Sequence, residues 1–148
     1  MALIRLSLLT VFLAGSASAD DERAHVNYML HCQGCHLPEA QGFEGKVPPM
    51  KDFAGYFLHS GEGREFLIRV PGVAQSALND GELAELMNWL LVTFSSEQLP
   101  DQYLPFTGDE VASLRQDPVI DPATSRELIL NRLSAEIPVL AAERQQKN

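Results

Sequence analysis

Five consecutive residues, Cys32-Gln33-Gly34-Cys35-His36, gather the thiols and an imidazole of this 148-residue chain into one short turn. Four chemistries compete for that pattern. A structural zinc site needs four ligands, usually two Cys pairs or a Cys pair with a His pair, and no second pair exists here. A thioredoxin-type dithiol expects a βαβ setting, whereas no stretch of the chain alternates with period two. A disulfide across a two-residue spacer closes a strained loop. Covalent attachment of haem is the fourth, and Cys-x-x-Cys-His is its recognised spacing. In that chemistry both thiols add to the two vinyl groups on one edge of the porphyrin while the adjacent imidazole reaches the iron from one face. A tight helical turn achieves all three together.

Context weighs toward the fourth reading. The chain has only two cysteines, and both lie in the motif. Upstream, Met1 to Ala19 carries a single charge, Arg5, then the apolar run Leu6 to Ala14 and the small residues Gly15-Ser16-Ala17-Ser18-Ala19. A basic start, a short apolar stretch and an Ala-x-Ala site read as a secretory signal peptide over residues 1–19, cleaved before Asp20. The run is about half of the roughly 20 residues that a membrane span requires. Removing 19 of 148 residues leaves 129 and takes away one basic residue, moving the net charge from −9 to −10. The mature chain is thus expected to be soluble outside the cytoplasm, in the periplasm, without stable membrane insertion. Its acidity argues against nucleic acid, whose binders present a basic face to phosphates.

The elements that must position the motif all read as helices. Asp20-Asp21-Glu22 places acid at the positive end of a helix whose apolar residues are Ala24, Val26, Tyr28, Met29 and Leu30. After the motif comes a Gly- and Pro-rich loop from Leu37 to Pro49. A short helix is predicted around Asp52 to His59, and another around Arg64 to Val70, stopped by Pro71-Gly72. The clearest runs from Asn79 to Phe94, with Asn79 as cap, Glu82 three residues on, and Leu83, Leu86, Met87, Leu90, Leu91 and Phe94 in one stripe. Thr107-Gly108-Asp109-Glu110 is a capping box for a helix to about Gln116. Asp121-Pro122 opens a last helix that would bury Leu128, Ile129, Leu133 and Ile137. The residues from Glu143 on are polar and expected to fray. The fold class is all-α, with a haem domain over residues 20–97 and a helical extension over 98–148, expected to wrap the core; a docking surface is its second reading.

From Asp20 to Phe94 the sequence resembles the class I c-type cytochrome family. Tyr28 stands four residues before Cys32, where that family carries an aromatic. Pro48-Pro49-Met50 matches its proline and following apolar residue. The resemblance implies that the Pro48 carbonyl accepts from the His36 ring, fixing its tautomer and raising its basicity, and that Met50 packs on the haem. Leu78-Asn79-Asp80-Gly81-Glu82-Leu83 through Trp89 resembles the family's closing amphipathic helix. It implies one covalent haem c, Cys32 and Cys35 as thioethers, and His36 as proximal iron ligand.

The match fails at one point. The family usually takes its second axial ligand from a methionine in the loop before the last helix, and Pro71 to Asn79 contains neither Met nor His. His59 or Met50 is the alternative distal ligand, with an open or water-bound iron as the third possibility. Arg64 and Arg69 could hold a haem propionate or simply face solvent; Lys46 and Lys51 flank the haem-covering loop. The resulting expectation is a periplasmic monohaem cytochrome, not an enzyme, that carries single electrons between a dehydrogenase and an acceptor through a redox partner with a basic docking face. A haem-based sensor with an open sixth site, or a haem subunit docked on a larger oxidoreductase, are the alternatives.

Overall fold

The computed structural model describes residues 17–146; the proposed signal peptide lies outside the described residues except for 17–19. Within them, eight α-helices and two 3-10 turns follow one another without a named strand, an all-α cytochrome c-like architecture as expected. Helix α1 (Ala17–His31) buries Ala24 and Tyr28 completely and packs on α5 (Asp80–Ser95). Trp89 of α5 joins the crossing, stacked on His25 at 5.3 Å and tilted against Tyr28 at 5.8 Å. Val26, Met29 and Leu30, by contrast, are left exposed on α1.

Helix α5 begins where the capping pattern puts it. The Asn79 side chain accepts from the Glu82 N–H at 2.9 Å, and the Glu82 carboxylate accepts from the Asn79 N–H at 3.2 Å. Two donors that the helix leaves unpaired are thereby satisfied, an arrangement that stabilises by about 1 kcal/mol. Leu83, Leu86, Met87, Leu90 and Leu91 are buried along it; each large apolar side chain so removed from water contributes about 1.5–3 kcal/mol.

The predicted helix at Asp52 to His59 is a tighter 3-10 turn over Ala54–His59, followed by α3 (Gly61–Arg69), which Ser60 caps by accepting from Gly63 at 3.0 Å. Close approach explains the tightness. A β-carbon on Gly63 would lie 2.1 Å from the Phe57 carbonyl oxygen, and one on Gly55 would lie 2.7 Å from that of Ser95. The helix stops before Pro71-Gly72 as expected, and after an extended Val70 the proline opens a further turn, α4 (Pro71–Ala74), where its missing N–H costs nothing.

The C-terminal segment completes two apolar clusters. In the first, Phe106 and Val111, on or next to α6 (Gly108–Leu114), join Tyr28, Ile68 and the α5 stripe. Asn88 pins this segment, donating to the Phe106 carbonyl at 2.9 Å while its own oxygen accepts from the Phe106 N–H and the Tyr103 hydroxyl. The second cluster joins Phe53, Tyr56, Phe57 and Phe66 to Ile129, Leu130 and Leu133 of α7 (Pro122–Glu136) and Leu140 of α8 (Pro138–Gln146). Asp121 caps α7 as expected, but Leu128 is exposed and Leu130 buried in its place. Glu143, expected in a frayed end, accepts from the buried Tyr56 hydroxyl at 3.0 Å. No described helix is long and apolar enough to cross a membrane.

Candidate haem site

Helix α1 hands the chain directly to the motif. The Cys32 N–H still bonds to the Tyr28 carbonyl at 2.9 Å, and those of Cys35 and His36 both reach back to the Cys32 carbonyl, closing the short α2 (Gln33–His36). Both thiols and the imidazole therefore share one turn. Both cysteines are free; Cys32 is half-buried against the first cluster and Cys35 is exposed. Burial, and then the neighbouring Cys35, pushes the Cys32 thiol up to about 11.

Beyond His36 the backbone makes an unusual series of bends. Leu37, Ala40 and Asp52 all have positive φ although none is glycine, and such strain persists only where the surroundings over-determine it. The determining contacts are visible. The Tyr28 hydroxyl donates to the Leu37 carbonyl at 2.6 Å, and the carbonyl of the fully buried Ala40 accepts from the N–H groups of Met50 and Lys51. Gly42 donates to the His36 carbonyl at 3.0 Å at φ +67°, and a β-carbon there would sit 2.3 Å from the Val47 oxygen and 2.9 Å from the Pro48 oxygen. Glycine at 42 is what lets Val47-Pro48 lie against the back of His36. In the sequence this residue stands only as part of a Gly- and Pro-rich loop; its position six residues after His36, paired with Gly45, was the available signal.

The His36 Nδ1 atom is buried and no group meets hydrogen-bonding geometry with it, although the Pro48 carbonyl is close enough to favour its proton. Burial nevertheless holds the ring below its ordinary value, as the neutral imidazole that binds iron. Buried Nδ1 against a carbonyl, with two free thiols on the same turn, is a donor set that fits one covalent haem. Met50 is half-buried and packs on the same cluster as Cys32.

Other sequence candidates are engaged elsewhere. His59 is exposed at the end of its 3-10 turn, its Nε2 3.0 Å from the Gln98 carbonyl oxygen. Arg64 pairs with Glu110 at 2.6 Å, donates to the Leu104 carbonyl at 2.7 Å and lies 4.0 Å over the Phe106 ring. Arg69 binds the carbonyl of Asp117 at 2.7 Å and its carboxylate. Both arginines thus tie the helix beside the site to the extension. Lys51 pairs with Glu39 at 3.2 Å.

Arg115, which nothing in the sequence singled out, grips the loop between α4 and α5. Its guanidinium donates to the carbonyls of Ala74, Ser76 and Leu78 and to the Asp80 carboxylate. This is the Pro71 to Asn79 loop that lacks Met and His.

No family profile matches the chain. One cytochrome c-552 of Thermus thermophilus is 29% identical over 129 aligned residues, covering 75% of this chain and 86% of its own. A second cytochrome c-552 from the same species is 30% identical over 102 residues, covering 57% of this chain and 78% of its own. Similarity of that extent, over more than two thirds of the relative's length, is descent rather than convergence on a motif, and the chain belongs to the c-type cytochromes.

Proposed function

We propose that this cytochrome works in the periplasm, passing single electrons between a dehydrogenase and a downstream acceptor, and that its redox partner docks through a basic face. Its kinship makes it an electron carrier, not an enzyme, with one covalently attached haem c. The single observation that carries the reading is that kinship, joined to the one helical turn that holds Cys32, Cys35 and His36.

Haem c, when bound, supplies a reversible one-electron iron couple. The residues of the chain hold and tune it. Cys32 and Cys35, both free thiols on that turn, would hold the haem as thioethers. His36 would hold the iron as a neutral imidazole, with the nearby Pro48 carbonyl placed to orient the ring and raise its basicity. Met50 shields the same side from water.

The acidic mature chain supports the partner assignment, because complementary charge speeds encounter and salt screens it. The test is the association rate of holoprotein with its donor dehydrogenase across ionic strength, which falls as salt rises; a rate indifferent to salt overturns the basic partner. Denaturing mass analysis shows one haem on the wild type and none on the Cys32→Ala/Cys35→Ala double variant.

A further inference from the structure

We infer that the cleft between the α1–α5 crossing and the loop after the Cys32–His36 turn seats an arginine side chain from the basic face of the redox partner. The inference rests on the basic-partner reading and names where on this chain that partner anchors. The cleft has a volume of about 440 Å³, at the small end of sites that hold ligands, and suits a single side chain.

Part of its wall is aromatic. Trp89, half-buried on α5, is stacked with His25 at 5.3 Å and meets the Phe94 ring edge-on at 5.5 Å. Pro38 extends that wall only two residues after His36. The rest of the lining is charged, with the carboxylates of Glu39, Asp52 and Glu97 set against one ammonium, that of Lys51.

Two of those carboxylates are unspent. Among the described residues, neither Asp52 nor Glu97 has a hydrogen bond or ion pair on its carboxylate. The Asp52 backbone is nonetheless fixed at the cleft, its N–H bonded to the Phe94 carbonyl at 2.7 Å. Glu39 pairs with Lys51 at 3.2 Å, but both are exposed, so the pair is weak and an incoming cation can share it.

A second cleft, between α3 and the segment from Asp117 to Asp121, is also rich in carboxylates, but there they are engaged. Glu62 pairs with Arg132, Asp117 with Arg69, and Asp121 accepts from the Thr124 N–H. An aromatic wall beside unpaired carboxylates suits a cation with a flat, weakly hydrated head on an apolar stem. Guanidinium meets both demands, packing on rings and donating through its fork to carboxylates, whereas an ammonium is compact and strongly hydrated. A metal ion fits less well, since the described residues form no group of three His, Cys, Asp or Glu able to hold one.

Trp89 is the only tryptophan of the chain, so isotopically labelled holoprotein gives one indole N–H resonance that reports on the cleft. N-acetylarginine amide moves that resonance saturably in the reduced holoprotein, while sodium chloride at the same ionic strength and N-acetylnorleucine amide do not. Asp52→Asn/Glu97→Gln weakens the binding about tenfold by removing two charged acceptors; asparagine at 52 tolerates the positive φ found there. Asp109→Asn/Glu136→Gln removes two exposed charges elsewhere and alters it less than about twofold. A movement that does not saturate, or equal weakening by the two double variants, overturns the cleft as a guanidinium site. The association rate with the donor dehydrogenase separates this failure from that of the reading beneath it. The expected rate falls with salt and is slower for Asp52→Asn/Glu97→Gln than for Asp109→Asn/Glu136→Gln. A rate that falls with salt but is the same for the two variants keeps the basic partner and overturns the cleft as its anchor. A rate indifferent to salt overturns the basic partner and this inference with it.

Discussion

Arg115→Ala removes a side chain at the end of α6 that reaches the carbonyls of Ala74, Ser76 and Leu78 before α5. Its side chain is 13% exposed, and its guanidinium donates at 3.0 Å to the Ala74 carbonyl, 2.9 Å to that of Leu78 and 3.0 Å to Asp80, besides Ser76. Asp80 is 44% exposed, so the ion pair itself contributes only about 0–1 kcal/mol. The carbonyls matter more, because a hydrogen bond from a charged donor contributes about 1.5–3 kcal/mol and its loss leaves an acceptor to be rehydrated. These are not additive, and water reaches part of the loop. A loss of about 3 kcal/mol follows, a large share of the 5–15 kcal/mol typical of a domain. At roughly 3–4 °C per kcal/mol for a chain of this size, the melting temperature falls by about 10 °C. Urea unfolding of holoprotein, followed by far-ultraviolet circular dichroism, measures it. Arg115→Lys recovers less than half, since an ammonium cannot span the fork's separate acceptors, and Asp80→Asn costs under about 1 kcal/mol. Arg115→Ala within about 1 kcal/mol of wild type, or Asp80→Asn as costly as Arg115→Ala, would refute the assignment of the energy to the carbonyls.

Glu110 is held below its ordinary value of 4.5 chiefly by the hydrogen bond from Arg64. Its folded value is the lower one, so it stabilises the fold above about pH 4.5 and loses that contribution as pH falls through the folded value; Glu110→Gln therefore flattens the acid limb of stability below about pH 5 in acid titrations of unfolding. Gly42→Ala forces a β-carbon against Val47 and Pro48 at a positive φ, costing about 1–3 kcal/mol in backbone strain alone. Moving the Pro48 carbonyl off His36 also raises the reduction potential by roughly 20–60 mV, the equivalent of about 0.5–1.5 kcal/mol of hydrogen bonding; redox titration checks it, and an unchanged potential in a folded variant removes Pro48 from the tuning role.

Local signals were legible wherever the residues that decide a structure are near one another in sequence. The turn of Cys32 to His36 and the cap of α5 each lie within five residues; the first closes as a helical turn and the second forms its capping box. The Thr107 cap shows where locality fails: Thr107 accepts from the Glu110 N–H at 3.2 Å, but the Glu110 carboxylate serves Arg64 instead of closing the box. Arg64 and Arg69 were open between haem and solvent because Glu110 and Asp117, the partners that hold them, lie more than 40 residues away in the extension. On α7 the apolar residues Leu128 to Leu130 can each face inward by period alone; the aromatics of the Ala54–His59 turn and of α3 select Ile129 and Leu130. Gly42 was visible as a residue but not as a contact, since its role depends on the loop folding back over His36.

Phe53, Tyr56, Phe57 and Phe66 share their apolar cluster with Ile129, Leu130, Leu133 and Leu140. During synthesis at about 5–20 residues per second, the roughly 60 residues between Phe66 and Ile129 take several seconds to appear. Throughout that interval the stretch bearing Cys32, Cys35 and His36 is complete while the aromatic quartet lacks the cover that α7 and α8 supply. The C-terminal helices act as a late-arriving latch, leaving the thiols reachable early and consolidating the fold once the last helix is delivered.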